Sequence, residues 1–204
     1  MLQTIKSCNN MMVSPHWMAS QAGSEIMKSG GNAIEAMICS AAVISVVYPH
    51  MNSLGGDNFW LINTVDQKLI GIEATGFSSE KATIDFYNSI GLKQIPGRGD
   101  FAAITVPGVV SGWIKAYEYS LRKLNGKKSL EEILDPAIQI ANSGFSVTST
   151  LEKNLKSKKS ELINLKEFAN KYYSNEFIEG SIIKFPEMAE TLKLLVKNGF
   201  DDFY

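Results

Sequence analysis

Side chains able to do chemistry gather at two places in this 204-residue chain. The first is the turn Pro-His-Met-Asn-Ser-Leu-Gly-Gly-Asp-Asn, from Pro49 to Asn58, where His50, Asn52, Ser53, Asp57 and Asn58 crowd together. Asp57 and Asn58 either contact a substrate or cap the turn. The second is Gln-Ile-Pro-Gly-Arg-Gly-Asp, from Gln94 to Asp100, with Arg98 between two glycines. A guanidinium there either clamps a carboxylate through two parallel charge-assisted hydrogen bonds or simply sits in solvent. His16 and His50 are the only histidines. A metal centre needs several His, Cys or carboxylate ligands converging, so two isolated histidines argue against one. A serine triad needs its nucleophile on a sharp elbow such as G-x-S-x-G, and no segment has that form. The residues therefore point to a binding loop more than to a complete active site.

A loop can hold a ligand only if rigid elements hold the loop. Upstream of the turn, Ala33 to Tyr48 reads as a helix that is apolar nearly all round, and such a helix belongs inside a protein. Asn32 and Glu35 form its capping box, and Pro49 ends it by removing a backbone donor. Downstream, Phe59-Trp60-Leu61-Ile62 is a continuous apolar run, expected as a strand covered on both faces. Gly55-Gly56 is expected to give the turn a backbone shape that side chains forbid. Phe59 to Thr64 and Lys68 to Ala74 read as strands joined through Val65 to Gln67.

The remaining elements follow from periodicity and punctuation. Met11 to Val13 reads as a short strand. Trp17, Met18, Ala22, Ile26 and Met27 form a helical stripe that stops at Gly30-Gly31. Thr75 to Thr83 is loop-like, Asp85 to Ile90 a short helix and Phe101 to Val106 a strand. Pro107-Gly108 opens a helix through Val109, Val110, Trp113 and Ala116. Ser129 and Glu132 cap another that ends near Gly144, with Pro136 expected to kink or split it. The lysine-rich stretch Thr148 to Tyr173 reads as a solvated amphipathic helical region, because Glu152, Glu161 and Glu167 interrupt the basic charge. Ile182 to Phe185 is a short extended piece, and Pro186 begins a last helix capped by Asn198-Gly199.

Composition narrows the function classes. Twenty basic and 21 acidic residues leave a formal net charge of -1, which gives no footprint for nucleic acid. Cys8 and Cys39 make neither a disulfide framework nor a metal pattern. Met1 to Met12 lacks the apolar region of a secretory signal, and no uninterrupted apolar run is long enough for a membrane span. The expected location is cytoplasmic.

The order of the segments resembles a known family. The stretches are Ala19-Ser20-Gln21-Ala22-Gly23, Gly30-Gly31-Asn32-Ala33-Ile34-Glu35-Ala36, Val47-Tyr48-Pro49-His50, Leu54-Gly55-Gly56-Asp57-Asn58-Phe59, Val106-Pro107-Gly108, and Pro136-Ala137-Ile138 through Gly144-Phe145-Ser146-Val147. Together they resemble the large-subunit half of γ-glutamyltransferases, from roughly Met12 onward. The form of the Pro49 turn, with Ile-Pro-Gly-Arg-Gly-Asp ahead of Val-Pro-Gly, is closer to the oxamate amidohydrolase-like branch than to glutathione-processing enzymes.

The resemblance implies an α+β chain that forms the N-terminal portion of an αββα N-terminal-nucleophile hydrolase sandwich. It implies a self-cutting proenzyme whose nucleophile is a new N-terminal threonine, with the threonine's own α-amine as general base. That threonine begins the small subunit, and nothing in this sequence matches it. Asp201-Asp202-Phe203-Tyr204 resembles the middle of a family motif. Residues 1–204 are thus expected to form one partial domain with no catalytic residue, no cofactor and no metal. Its partners are expected to be a small-molecule amide substrate and the C-terminal half, not nucleic acid or membrane. A non-catalytic remnant or a binding subunit is the alternative.

One departure bears on specificity. Family members that bind a γ-glutamyl carboxylate carry an arginine in a D-G-R-E-like loop after the second core strand. Here the loop is Glu73-Ala74-Thr75-Gly76-Phe77, without arginine. Arg98 becomes the anion-binding candidate, and Arg98, Asp57, Asn58, His50 and Thr75 form the expected substrate-binding set. That set requires Gln94 to Asp100 to lie beside Leu54 to Asn58.

Overall fold

A computed structural model describes residues 4–174 and 177–204. Regular structure begins with α1 (Trp17–Lys28) and α2 (Ala33–Val47), followed by a hairpin of β1 (Asn58–Asn63) and β2 (Leu69–Ala74). Then come α3 (Ile84–Ser89), α4 (Val109–Lys123) and α5 (Leu130–Ser143). The last part holds β3 (Phe145–Ser146), α6 (Ser149–Leu162), α7 (Lys166–Tyr172), β4 (Ile182–Ile183) and α8 (Pro186–Asn198).

The axle of the fold is α2. Its apolar residues leave no polar stripe for solvent, so neighbours must cover it all round. Helices α1, α4 and α5 pack against it, and α8 packs on α5. Its start is fixed by the capping box: Asn32 Oδ1 accepts from the Ile34 and Glu35 N–H groups, and Glu35 Oε2 accepts from the Asn32 N–H at 2.7 Å. The other oxygen of Glu35 accepts from the N–H groups of Lys127 and Lys128 at 2.7 and 2.9 Å. A carboxylate that is 0% exposed is thereby satisfied by three backbone donors, and it ties α2 to the α4–α5 connection. Glu35→Gln turns one acceptor into a donor facing other donors. It is expected to cost about 2 kcal/mol, seen as a lower urea midpoint at unchanged slope.

The hairpin is antiparallel, with Trp60 opposite Ile72 and Ile62 opposite Ile70 on the face that α4 covers. The alternate residues Phe59, Leu61 and Leu69 are 68, 76 and 66% exposed. The strand expected to be covered on both faces is covered on one. A continuous apolar run signals two covering layers, and the described residues supply one.

Other expectations also need correction. Met11 to Val13 is irregular and pairs with no strand among the described residues. Phe101 to Val106 is not a strand: Asp100–Ala102 forms a 3-10 turn, and Thr105 makes a single antiparallel bridge to Ser78. β-prone residues make a strand only where a second strand offers a ladder. Trp17 starts α1 on its exposed side, and Ala19, Ala22, Gly23 and Ile26 form the buried stripe. Pro136 does not split α5. Its missing N–H forfeits one bond to the first turn, while the Ser129–Glu132 capping box and the buried face of Ile133, Leu134, Ala137 and Ile138 hold the helix together.

Candidate functional site

The turn after α2 is fastened at both ends. The Met51 and Asn52 N–H groups donate to the Tyr48 carbonyl, each at 3.1 Å. The Gly56 carbonyl accepts from the Gly108 and Val109 N–H groups at 3.0 and 3.1 Å, which joins the turn to the first residues of α4. The His50 ring lies against Tyr48, with centroids 4.2 Å apart. Gly55 and Gly56 do not have positive φ. A methyl group on either would meet nothing closer than 3.7 or 3.6 Å. The shape of the turn within this chain therefore does not demand the glycine pair, contrary to expectation.

Beneath the turn is a cleft of about 360 Å³, whose polar wall includes Ser45, His50, Asn52, Asp57, Asn58 and Trp113. Four polar atoms of its lining residues are buried without a protein hydrogen-bond partner: both His50 nitrogens, Asn58 Oδ1 and Trp113 Nε1. Burial lowers the His50 pKa below its ordinary 6.5, so the imidazole is neutral at pH 7 and offers one donor and one acceptor. Gly112 gives the Asn58 amide its place: a Cβ there would fall 2.5 Å from Asn58 Oδ1.

A second cleft, of about 310 Å³, shares Pro49, His50 and Met51 with the first and adds Arg98, Lys158 and Tyr172. Arg98 Nε donates to Glu161 Oε2 at 2.7 Å, and Lys158 Nζ donates to Glu161 Oε1 at 2.8 Å. These hydrogen bonds, from Lys158 first and then Arg98, hold the Glu161 carboxyl below its ordinary pKa. Thr75 lies in a third cleft of about 540 Å³, with Glu73, Phe77, Pro107, Ser111 and Tyr204. There the Tyr204 hydroxyl donates to the Pro107 carbonyl and accepts from the Ser111 N–H.

The five expected residues are thus divided. His50, Asp57 and Asn58 share one cleft, Arg98 meets His50 in the next, and Thr75 stands in a third. The Arg98 loop reaches the Pro49 end of the turn, while Asp57 and Asn58 line the other cleft. Sequence reading placed Trp113 only in a core stripe. The available signal was its indole N–H, which needs a partner once the ring is buried. Among the described residues no group of three or more His, Cys, Asp or Glu is placed to hold a metal ion, and no helix is long and apolar enough to cross a membrane.

Helices on one face of an antiparallel hairpin, with the other face apolar and open, form one part of a layered α+β fold. Two solved structures share this arrangement. Helicobacter pylori gamma-glutamyltranspeptidase matches 97% of this chain and 56% of its own, with TM-score 0.84 and 23% identity. The gamma-glutamyltranspeptidase from Pseudomonas nitroreducens complexed with L-DON matches 98% of this chain and 58% of its own, with TM-score 0.81 and 26% identity. The chain belongs to the gamma-glutamyltranspeptidase family, whose sequence model matches residues 19–204. It is 41% identical over 201 residues to the oxamate amidohydrolase proenzyme of Klebsiella pneumoniae, covering 97% of this chain and 38% of that protein. It is 35% identical over 212 residues to the glutathione hydrolase-like YwrD proenzyme of Bacillus subtilis, again covering 38% of that protein. The chain therefore spans about two fifths of the length of these curated relatives.

Proposed function

We propose that this chain is the N-terminal part of a cytoplasmic N-terminal-threonine amidohydrolase acting on a small anionic amide. Its role is to supply scaffold and substrate-binding loops, and the nucleophile comes from the C-terminal half. The observation that carries this reading is the pair of clefts meeting at His50, one with hydrogen-bonding groups and Asp57, the other with Arg98 and Lys158. An amide end and a carboxylate end ask for those two environments. The absence of arginine from Glu73 to Phe77 favours a small acid over a γ-glutamyl group, and the likeness to an oxamate amidohydrolase proenzyme agrees.

The test uses the chain assembled with its C-terminal half. Arg98→Ala is expected to lower kcat/KM for oxamate by roughly tenfold to a hundredfold, the range of one charge-assisted pair. The lower end is favoured because the Arg98 side chain is 46% exposed. The unmodified enzyme is expected to handle a γ-glutamyl anilide poorly. An unchanged kcat/KM for oxamate in Arg98→Ala, or a preference for the anilide, overturns the assignment.

A further inference from the structure

We propose that the cleft holding Arg98 and Lys158 takes a monocarboxylic acid with an apolar arm, a ligand of benzoate's kind. This rests on reading Arg98 as an anion-binding residue. It goes further by naming what the rest of the ligand must be.

Spacing along α6 builds one wall. Leu155, Lys158 and Leu162 fall at i, i+3 and i+7, on one helix face, and all three line the cleft. A lysine is thereby set in an apolar stripe. Phe168 and Tyr172, four apart on α7, add an aromatic wall, with ring centroids 4.5 Å apart and planes 24° from parallel. The Tyr173 hydroxyl donates to the Leu155 carbonyl at 3.0 Å, which fixes α7 against α6. Leu162, Phe168 and Tyr172 are only half-buried, so they keep surface that a ligand can cover.

The cations are reachable and only partly used. The Arg98 and Lys158 side chains are 46 and 41% exposed. Both already hold one carboxylate, that of Glu161, which shows that their charges converge closely enough to share an anion. Arg98 uses one of its N–H donors there, its Nε, and Lys158 uses its Nζ. Each keeps further donors for a second acceptor. Two positive charges and one negative leave the cluster positive, and no acidic side chain is among the described residues lining the cleft. One ligand carboxylate makes the sum zero. An acid as small as oxamate reaches the cations and leaves the aromatic wall bare. An arm laid on that wall removes apolar surface from water and adds affinity. The space, about 310 Å³, is in the range of small-ligand sites, with mostly apolar walls and a few convergent polar groups.

The test follows the arginines themselves. The chain has two, Arg98 and Arg122. Labelling with 15N gives two Nε–H lines, which Arg122→Lys assigns. Arg122 lies on α4 beside Glu118 and is the internal control. Benzoate, acetate, benzyl alcohol and oxamate are titrated in turn into the 204-residue chain. The Arg98 line is expected to move saturably with benzoate, with a dissociation constant on the order of millimolar for a ligand this small. Acetate, which lacks the arm, is expected to bind at least about tenfold more weakly. Benzyl alcohol, which has the ring without the charge, is expected to leave the line in place. Lys158→Met keeps an apolar stem without the charge and is expected to weaken benzoate binding about tenfold. Acetate binding as tight as benzoate binding overturns the proposal and leaves the anion role of Arg98 standing. An equal response to benzyl alcohol, or benzoate binding unchanged in Lys158→Met, overturns it too. Oxamate separates the two readings. If benzoate moves the line and oxamate does not, the apolar acid site stands and oxamate falls as a substrate. If oxamate moves it and benzoate does not, the apolar acid site falls. If no acid moves it, both fall.

Discussion

The 204-residue chain on its own is expected to turn over neither oxamate nor a γ-glutamyl anilide above a buffer blank, and to show no self-cleavage in an intact-mass measurement after long incubation. Covalent amide hydrolysis needs a nucleophile within hydrogen-bond reach of a base. Two described hydroxyls do donate to a carboxylate, Thr64 to Asp66 and Thr75 to Glu73, but both pairs lie in exposed positions, and the Lys68 ammonium holds the Asp66 carboxyl below its ordinary pKa and so makes it a weak base. Burial, with a smaller push from Glu25, raises the Cys39 thiol to about 12, and only the thiolate is a useful nucleophile. Ser45 donates its hydroxyl to the Ala41 carbonyl, and Ser120 accepts from the Asn32 amide. His16 Nδ1 accepts from the Met18 N–H, and His50 holds no hydroxyl. Enzymes gain a millionfold or more from a complete site, so the expected difference between this chain and an assembled enzyme is that entire factor. Turnover by the purified chain, or a discrete pair of fragments, would mean that a nucleophile lies within these residues. The alternative of an inactive remnant is separated by the nucleotide sequence after the Tyr204 codon. A reading frame there that encodes a threonine after a processing site supports the enzyme, and its lack supports the remnant.

Much of the scaffold was legible because its rules are local. The capping boxes of α2 and α5 sit where Asn32–Glu35 and Ser129–Glu132 put them. The apolar run of α2 could only be a buried helix, and Val65 to Gln67 joins two strands as its composition indicates, with Gln67 at φ 60°. What failed depends on partners distant in sequence. Phe101 to Val106 has strand-forming residues, but its pairing with the Phe77–Ser79 segment amounts to a single isolated bridge, Thr105 to Ser78. Phe59 and Leu61 read as core, and they are core-like, but the layer that would cover them is not among the described residues. The candidate site was legible as residue types and not as geometry. Asp57, Asn58 and His50 do share a cleft, whereas Arg98 reaches that neighbourhood only through His50, because its loop is tethered to α6 by Glu161. No local pattern marks an ion pair between residues 63 apart.

Gly108→Ala is expected to disrupt the fold around the Thr75 loop, while Gly55→Ala is expected to be nearly silent, the reverse of what a sequence reader would choose from a Gly-Gly pair. Gly108 has an ordinary φ of -91°, so its requirement is space and not conformation. A Cβ there would fall 1.8 Å from the Ala74 carbonyl oxygen and 2.4 Å from its carbon. Both atoms are backbone at the end of β2 and cannot rotate away. Relief means prising α4 from the sheet, which strains the two hydrogen bonds from Gly108 and Val109 to Gly56 that hold the Pro49 turn. Overpacking of this kind costs about 1–3 kcal/mol or more, and two lost backbone bonds add about 1 kcal/mol each. The sum, roughly 4 kcal/mol, is a large part of a typical domain's 5–15 kcal/mol stability. Gly55 has no neighbour to its virtual Cβ closer than 3.7 Å, so its replacement should stay within about 0.5 kcal/mol. Urea midpoints of the two variants decide the matter. A Gly108→Ala chain as stable as the parent would contradict the close approach of Ala74 to α4. If Gly55→Ala leaves stability untouched but removes activity from the assembled enzyme, the glycine pair answers to something that approaches the turn from outside, a ligand or the C-terminal half. If both stability and activity survive, the pair serves neither.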